Sequence, residues 1–159
     1  MHSIDDSARV VDSSVGQAEI REHVTIHDSE LGDGCRVYER SSIKKSRISD
    51  EVDVNAGTYV ENAEVGSNVQ IGPNCSIVGV THDLSEQGME FRNDVFERII
   101  LREGVFVGAG AVLAPGIEIG ERTVISAGTT VSQDVGPEKI VLGSPPTQKI
   151  VDLHEWTNR

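Results

Sequence analysis

The 36 residues from Leu101 to Gly136 divide without remainder into six hexads: LREGVF, VGAGAV, LAPGIE, IGERTV, ISAGTT and VSQDVG. Leu101, Val107, Leu113, Ile119, Ile125 and Val131 open them, and a small or β-branched residue follows four places later: Val105, Ala111, Ile117, Thr123, Thr129, Val135. A helix would want apolar residues at three-and-four spacing, and a simple strand would alternate by two. A strict period of six satisfies neither and marks a β-solenoid built from six-residue sides. Gly110, Gly116 and Gly128 share one phase of the hexad, where a residue free to take positive φ can turn a corner.

Traced toward the N-terminus, the pattern continues with a residue skipped at intervals. Ile20, Val37, Val54 and Ile71 form one column, Ile26, Ile43, Val60 and Ile77 a second, and Leu31, Ile48 and Val65 a third. Each coil therefore has sides of six, six and five residues, lengthening to 18 per coil later in the chain. Ile4, Val10 and Val15 fit an earlier, less regular coil, and Gly34, Asn68 and Asn74 are further positive-φ candidates. The fold expected is all-β, a single parallel β-helix of six or seven coils over residues 1–150, with a short tail at 151–159. Only 4% of residues are aromatic, too few for an ordinary globular core but enough for narrow columns of Ile, Val and Leu. Cys35 and Cys75 fall on inward positions and read as small buried hydrophobes.

The net charge is −12, from 26 acids against ten Arg and four Lys. That argues against nucleic acid or an anionic membrane as partner. A solvated acidic surface is one reading; a protein from a salt-rich cytoplasm, whose self-repulsion salt screens, is another. No apolar run reaches the roughly 18 residues of a membrane span, and MHSIDDSARV has no signal-peptide core, so a cytoplasmic protein is expected.

Between Ile77 and Leu101 the repeat breaks. Residues 78–100 are too long for a corner, and a loop of this length inside a compact repeat points to function. Its Met89, Phe91 and Phe96 call for a surface to pack on, and a neighbouring subunit is the candidate. At its root stands His82, whose residue type can take a proton from a hydroxyl or amine near neutral pH. His23 and His27 lie on different hexad phases and read as a surface-exposed pair, so no metal site is expected. Lys44-Lys45 and Glu39-Arg40 read as solvated faces, and the glycines of GAGAVLAPG are explained by the hexad turns rather than by a dinucleotide fold.

IGPNCSIVGVTHDL, VFVGAGAVLAPGIEIGERTVISAGTTVSQDV and VLGSPPTQKI resemble the left-handed β-helix hexapeptide-repeat acetyltransferases, in particular the galactoside, maltose and exopolysaccharide O-acetyltransferases. The resemblance covers residues from about Asp50 to Ile150 and implies left-handed crossovers, an exception to the usual rule. It also implies acetyl-CoA as co-substrate and a homotrimer with the cofactor slot between adjacent prisms. By the resemblance His82 is the catalytic base and Asn55 contacts the acceptor, a small molecule or glycan. Ala109 and Ala127 line the pantetheine slot; Ser132 and Gln133 meet the distal part of CoA, where the family often has Lys; Lys149 stands nearest to the family's basic residue after the Pro-containing ending. The maltose and galactoside enzymes contact sugar through a helical N-terminal segment; residues 1–20 read as coil rather than helix, so simple glycosides are expected to fit less well. The reading is an O-acetyltransferase of a sugar or glycan precursor, with N-acetylation of an amino sugar, free or nucleotide-linked, and a non-catalytic scaffold as alternatives. A zinc site of three converging histidines is not met, since only His82 lies in the right region.

Overall fold

The structure, a computed structural model, describes residues 2–158. Short parallel strands stack into three faces that, among the described residues, hold nine, seven and six strands. The first face stacks Ile4, Ile20, Val37, Val54, Ile71, Val107, Ile125 and Val141 in register. The second stacks Val10, Ile26, Ile43, Val60, Ile77, Leu113 and Val131. The third stacks Val15, Leu31, Ile48, Val65, Leu101 and Ile119, with Val135 bridged on top. The expected inward columns are thus the observed ones, and they fill the prism: apart from the lowest coil, nearly every member is buried. The chain is a left-handed β-helix of about eight turns. The first of these turns is the expected one of Ile4, Val10 and Val15, and the stack exceeds the six or seven coils expected because Lys139–Leu142 adds a strand of a further turn at the top.

Alternation of burial within each two- or three-residue strand follows from the pleat: one side chain enters the core and its neighbours face out. Serines and threonines that enter find a carbonyl. Ser41 Oγ donates to Asn55 O and Thr58 Oγ1 to Gly72 O, both at 2.7 Å, so the core carries hydroxyls without stranding them. Cys35 and Cys75 are buried as expected, and burial pushes both thiols up, which leaves them unreactive.

Two segments differ from expectation. Residues 78–100 are not irregular: Val80–Ser85 and Gly88–Phe96 pair as an antiparallel hairpin, and Ile99–Leu101 already belongs to the third face. β-Branched and aromatic residues paired at the root (Val80 with Phe96, Thr81 with Val95) and Gly88, at φ +115°, after the turn supply the hairpin chemistry. Its apolar residues stay uncovered, with Leu84 77% and Phe91 72% exposed. The C-terminus turns back through Gly143–Gln148. Lys149–Asp152 then adds antiparallel to Lys139–Leu142, and a helix follows over Leu153–Thr157. The Asp152 carboxylate accepts from the backbone N–H groups of His154 and Glu155, a helix cap. Strand pairing thus runs through residue 150, and the closing strand covers the unpaired edge of the first face, which would otherwise invite another chain.

Candidate functional site

Two vertical edges of the prism flank the second face, and the chemistry-bearing residues divide between them. The edge shared by the first and second faces carries, coil upon coil, Asn55-Ala56-Gly57, Gly72-Pro73-Asn74, Gly108-Ala109-Gly110 and Ser126-Ala127-Gly128. Gly108 sits under the next coil, where an added Cβ would lie 2.5 Å from Ala127 N, so packing demands glycine. Gly110 and Gly128 differ: both hold φ +70°, yet a Cβ there would meet nothing within 4 Å. With Ala109 and Ala127 exposed beside them, this edge is bare over two coils. Lower on the same edge, half-buried Asn55 donates its side-chain amide to Ile71 O at 3.1 Å. That bond points the amide nitrogen into the stack and leaves Oδ1 to accept from a partner. Lys149, in the closing strand opposite Leu142, stands exposed toward the top of this edge.

From the other edge, between the second and third faces, the hairpin leaves the prism. His82 is opposite Asp94 in the hairpin, and a register shift follows directly between His82 and Leu84, the kind of irregularity that re-aims a side chain. Its Nδ1 lies 3.3 Å from Asn93 O and 3.8 Å from Asp94 Oδ1. A carbonyl can only accept, so this contact selects the tautomer with the proton on Nδ1 and leaves the Nε2 lone pair free. The side chain is 33% exposed, open to a partner on that side. Ser132 and Gln133 are exposed on this edge too, two coils above the hairpin root. The structure therefore groups Asn55, Ala109, Ala127 and Lys149 on one edge and His82, Ser132 and Gln133 on the other.

Beneath the hairpin, Lys44 and Lys45, expected on a solvated face, lie against Tyr59 and Glu61, and Lys44 is half-buried. Tyr59 Oη donates to Glu61 Oε1 at 2.7 Å, Lys45 Nζ lies 3.8 Å from Glu61, and Lys44 Nζ stands 5.4 Å from the centre of the Tyr59 ring. Burial, the bond to Glu61, and the negative charges of Glu61 and Asp94 push the Tyr59 hydroxyl up to about 12. Only the 17-residue coil spacing could have brought Lys44 and Glu61 together from the sequence. His27 also differs from expectation: it is half-buried, and its Nε2 is shielded from solvent without a partner, whereas His23 is exposed as expected. Among the described residues no group of three or more His, Cys, Asp or Glu is placed to hold a metal, and no helix is long and apolar enough to cross a membrane.

Comparison with known proteins gives this geometry its context. Residues 1–96 match the family described as GlmU-like, C-terminal hexapeptide, and residues 98–133 match bacterial transferase hexapeptide (six repeats). The chain is 36% identical over 107 residues to the bifunctional protein GlmU of Shouchella clausii, covering 67% of this chain and 21% of that protein. It is 30% identical over 128 residues to the galactoside O-acetyltransferase of Lactococcus lactis, covering 74% of this chain and 60% of that protein. The chain thus spans between about a fifth and three fifths of the length of these curated relatives. Among solved structures it resembles a mutant of AntD, an N-acyltransferase from Bacillus cereus, in complex with dTDP-4-amino-4,6-dideoxyglucose and coenzyme A. That likeness has a TM-score of 0.76 at 19% identity and covers 91% of this chain and 88% of that one. A maltose O-acetyltransferase from Clostridium difficile 630 has a TM-score of 0.56 at 21% identity, over 87% and 68% of the two chains. With the repeat columns in register and a family match over more than half its length, the chain belongs to the hexapeptide-repeat family, of the GlmU-like C-terminal kind.

Proposed function

We propose that the chain is an acetyltransferase that moves the acetyl group of acetyl-CoA to a hydroxyl of a sugar or glycan precursor, with His82 as the base. The observation that carries this reading is the pairing of an imidazole whose Nε2 is free with an edge left bare at Ala109, Gly110, Ala127 and Gly128. The acceptor O–H gives its proton to His82 Nε2 as its oxygen attacks the thioester carbonyl. The C–S bond then breaks, and the imidazolium returns the proton to the departing thiolate. The bare edge suits the thin pantetheine arm, with Ser132, Gln133 and Lys149 as contacts for the distal part of CoA and Asn55 Oδ1 for the acceptor.

Because the second face lies between His82 and the alanine edge, one chain alone does not bring both to a single reacting carbon. A closed homotrimer sets the hairpin edge of one prism against the alanine edge of the next, and the exposed Leu84 and Phe91 gain a surface to cover them.

N-acetylation of an amino sugar is a second reading, favoured by Asp83 and Asp94, which flank His82 and suit an ammonium. An amine must lose a proton before it attacks, so its rate should go on rising with pH above neutrality, while a hydroxyl acceptor should level off once the imidazole is neutral. His82→Ala should lose on the order of 10²–10⁴-fold in kcat/KM with unchanged circular dichroism. An active His82→Ala protein overturns the mechanism.

A further inference from the structure

The corner between the second and third faces is built in one way in the lower coils and in another under the hairpin. Below, Ser13, Ser29 and Ser46 hold the same place on successive coils. Each hydroxyl donates to the carbonyl two residues back, that of Val11, His27 and Lys44 in turn, at 2.8, 2.7 and 2.7 Å. Each also accepts a backbone N–H from the coil above, from Ser29, Ser46 and Ala63, at 3.0, 3.1 and 3.1 Å. This ladder stops at Ala63, which has no hydroxyl. Its neighbour Asn62 takes over: 7% exposed and at φ +51°, it donates from Nδ2 to Gly79 O in the coil above at 2.7 Å.

Gly79 is the residue from which the hairpin departs, and Glu97 is the one to which it returns. The Gly79 carbonyl also accepts from Glu97 N at 2.9 Å, and the Asn62 carbonyl accepts from Ile99 N at 3.2 Å, where the third face resumes. One buried residue thus holds both feet of the hairpin, the outgoing one by its side chain and the returning one by its main chain. The fit is close, since a Cβ on Gly79 would lie 2.3 Å from Asn62 O. His82 follows Gly79 by three residues. Its Nδ1 contact to Asn93 O, at 3.3 Å, crosses from one hairpin strand to the other. At that length a small shift of one root against the other breaks the contact, and the preference for a proton on Nδ1 goes with it.

We infer that Asn62 is a positioning residue for His82: its amide fixes the hairpin root at Gly79 and so keeps the imidazole in the tautomer that leaves Nε2 free. The role rests on the proposed transferase reading, in which that nitrogen is the base. Asn62 lies buried beneath the root and acts through the hairpin, not on the reacting atoms. A serine in the manner of the lower coils would not serve, because its hydroxyl donates within its own coil and would leave the Gly79 carbonyl untied. The stack itself does not need the amide. Without it, Gly79 O keeps Glu97 N as donor, and the backbone bonds of Asn62 to Lys44 O and from Ile99 N remain. What is lost is the tie between coil and hairpin.

The test is nitrogen NMR of the His82 ring in the full chain without acetyl-CoA, above neutrality, where the ring is uncharged. Ring-nitrogen shifts separate the two neutral tautomers and need no turnover, so failure of this role and failure of the transferase reading are read separately. Asn62→Gly removes the amide and keeps the left-handed corner; Asn62→Asp keeps the size and puts an oxygen where the donor was. Wild type should hold the proton on Nδ1. Both variants should give a mixture of tautomers, and their hairpin amides should exchange with solvent on the order of tenfold faster, with the inward columns still protected. Asn68→Gly, the same change at an exposed corner of φ +60° away from the hairpin, should alter neither. In transfer, Asn62→Gly should lower kcat on the order of 10²-fold and leave KM for acetyl-CoA unchanged, because the alanine edge is untouched. A wild-type ring without the Nδ1 preference, or variants that keep it, overturns the role. So does an equal effect from Asn68→Gly, or a loss of circular dichroism in both Asn62 variants, since the residue would then serve the stack.

Discussion

The coils below the hairpin and those above it share one core and differ at their corners. Below, positive-φ corner positions are held by His23, Arg40, Lys45, Glu51, Asn62, Asn68 and Asn74, with Gly34 and Gly57 among them. Ion pairs such as Arg36–Asp53 at 2.9 Å and Arg47–Glu30 at 3.1 Å run from coil to coil. Above, Gly104, Gly110, Gly116 and Gly128 take most of these positions. A left-handed conformation costs an ordinary residue roughly 1–2 kcal/mol, yet the lower coils accept it repeatedly, so the backbone bonds between coils outweigh it. Glycine above is therefore not needed to make a corner. Where a Cβ would meet nothing, as at Gly110 and Gly128, its effect is to leave an edge thin. The lower coils read as a tower built for stability, and the upper coils as the same tower with one edge cleared for a ligand.

This contrast can be broken by substitutions that act on one half only. Ala109→Trp should fill the cleared edge and reduce kcat/KM by 10²-fold or more, about 2.7 kcal/mol, with an unchanged melting temperature. Ile43→Ala, fully buried in the lower core, should do the reverse: a loss of about 2–5 kcal/mol of stability, read by denaturant unfolding, with kcat/KM unchanged in the folded protein. A smaller effect separates two glycines of one turn. Gly108→Ala drives a Cβ to within 2.5 Å of Ala127 N and should cost about 1–3 kcal/mol through overpacking, with a shift of the next coil, whereas Gly110→Ala meets no atom and carries only the left-handed backbone cost of roughly 1–2 kcal/mol. Equal losses at the two would mean that the edge is not open. The smallest effect is that of salt. With 26 acids against 14 Lys and Arg, screening should raise the melting temperature by a few degrees from dilute to molar KCl. A flat or falling series removes the salt-adapted reading.

Much of this architecture was legible because hexads record it directly. Every inward column from Ile20 onward, and the positive-φ corners at Asn68, Asn74 and Gly110, follow from period and residue type. Corners at Arg40, Lys45 and Arg122 were not legible, since their propensity opposes the conformation and only the stack imposes it. The hairpin escaped notice because its strands pair with each other, so its residues leave the six-residue period, and Asp94 finds His82 only through that pairing. His82 and Ala109 were each visible as single positions. That they lie on opposite edges depends on counting the face each one follows: Ala109 comes two residues after a first-face strand, and His82 departs after a second-face one.

That division makes assembly the central claim, and mixing tests it most directly. His82→Ala and Ala109→Trp, each inactive alone, are unfolded together, refolded in equal amounts and checked for trimers by light scattering. If each site takes its base from one chain and its alanine edge from the next, every mixed trimer holds one intact site, and random assembly restores about a quarter of wild-type activity. Trimers that form and stay inactive, or a protein that remains monomeric, would contradict a site shared between chains.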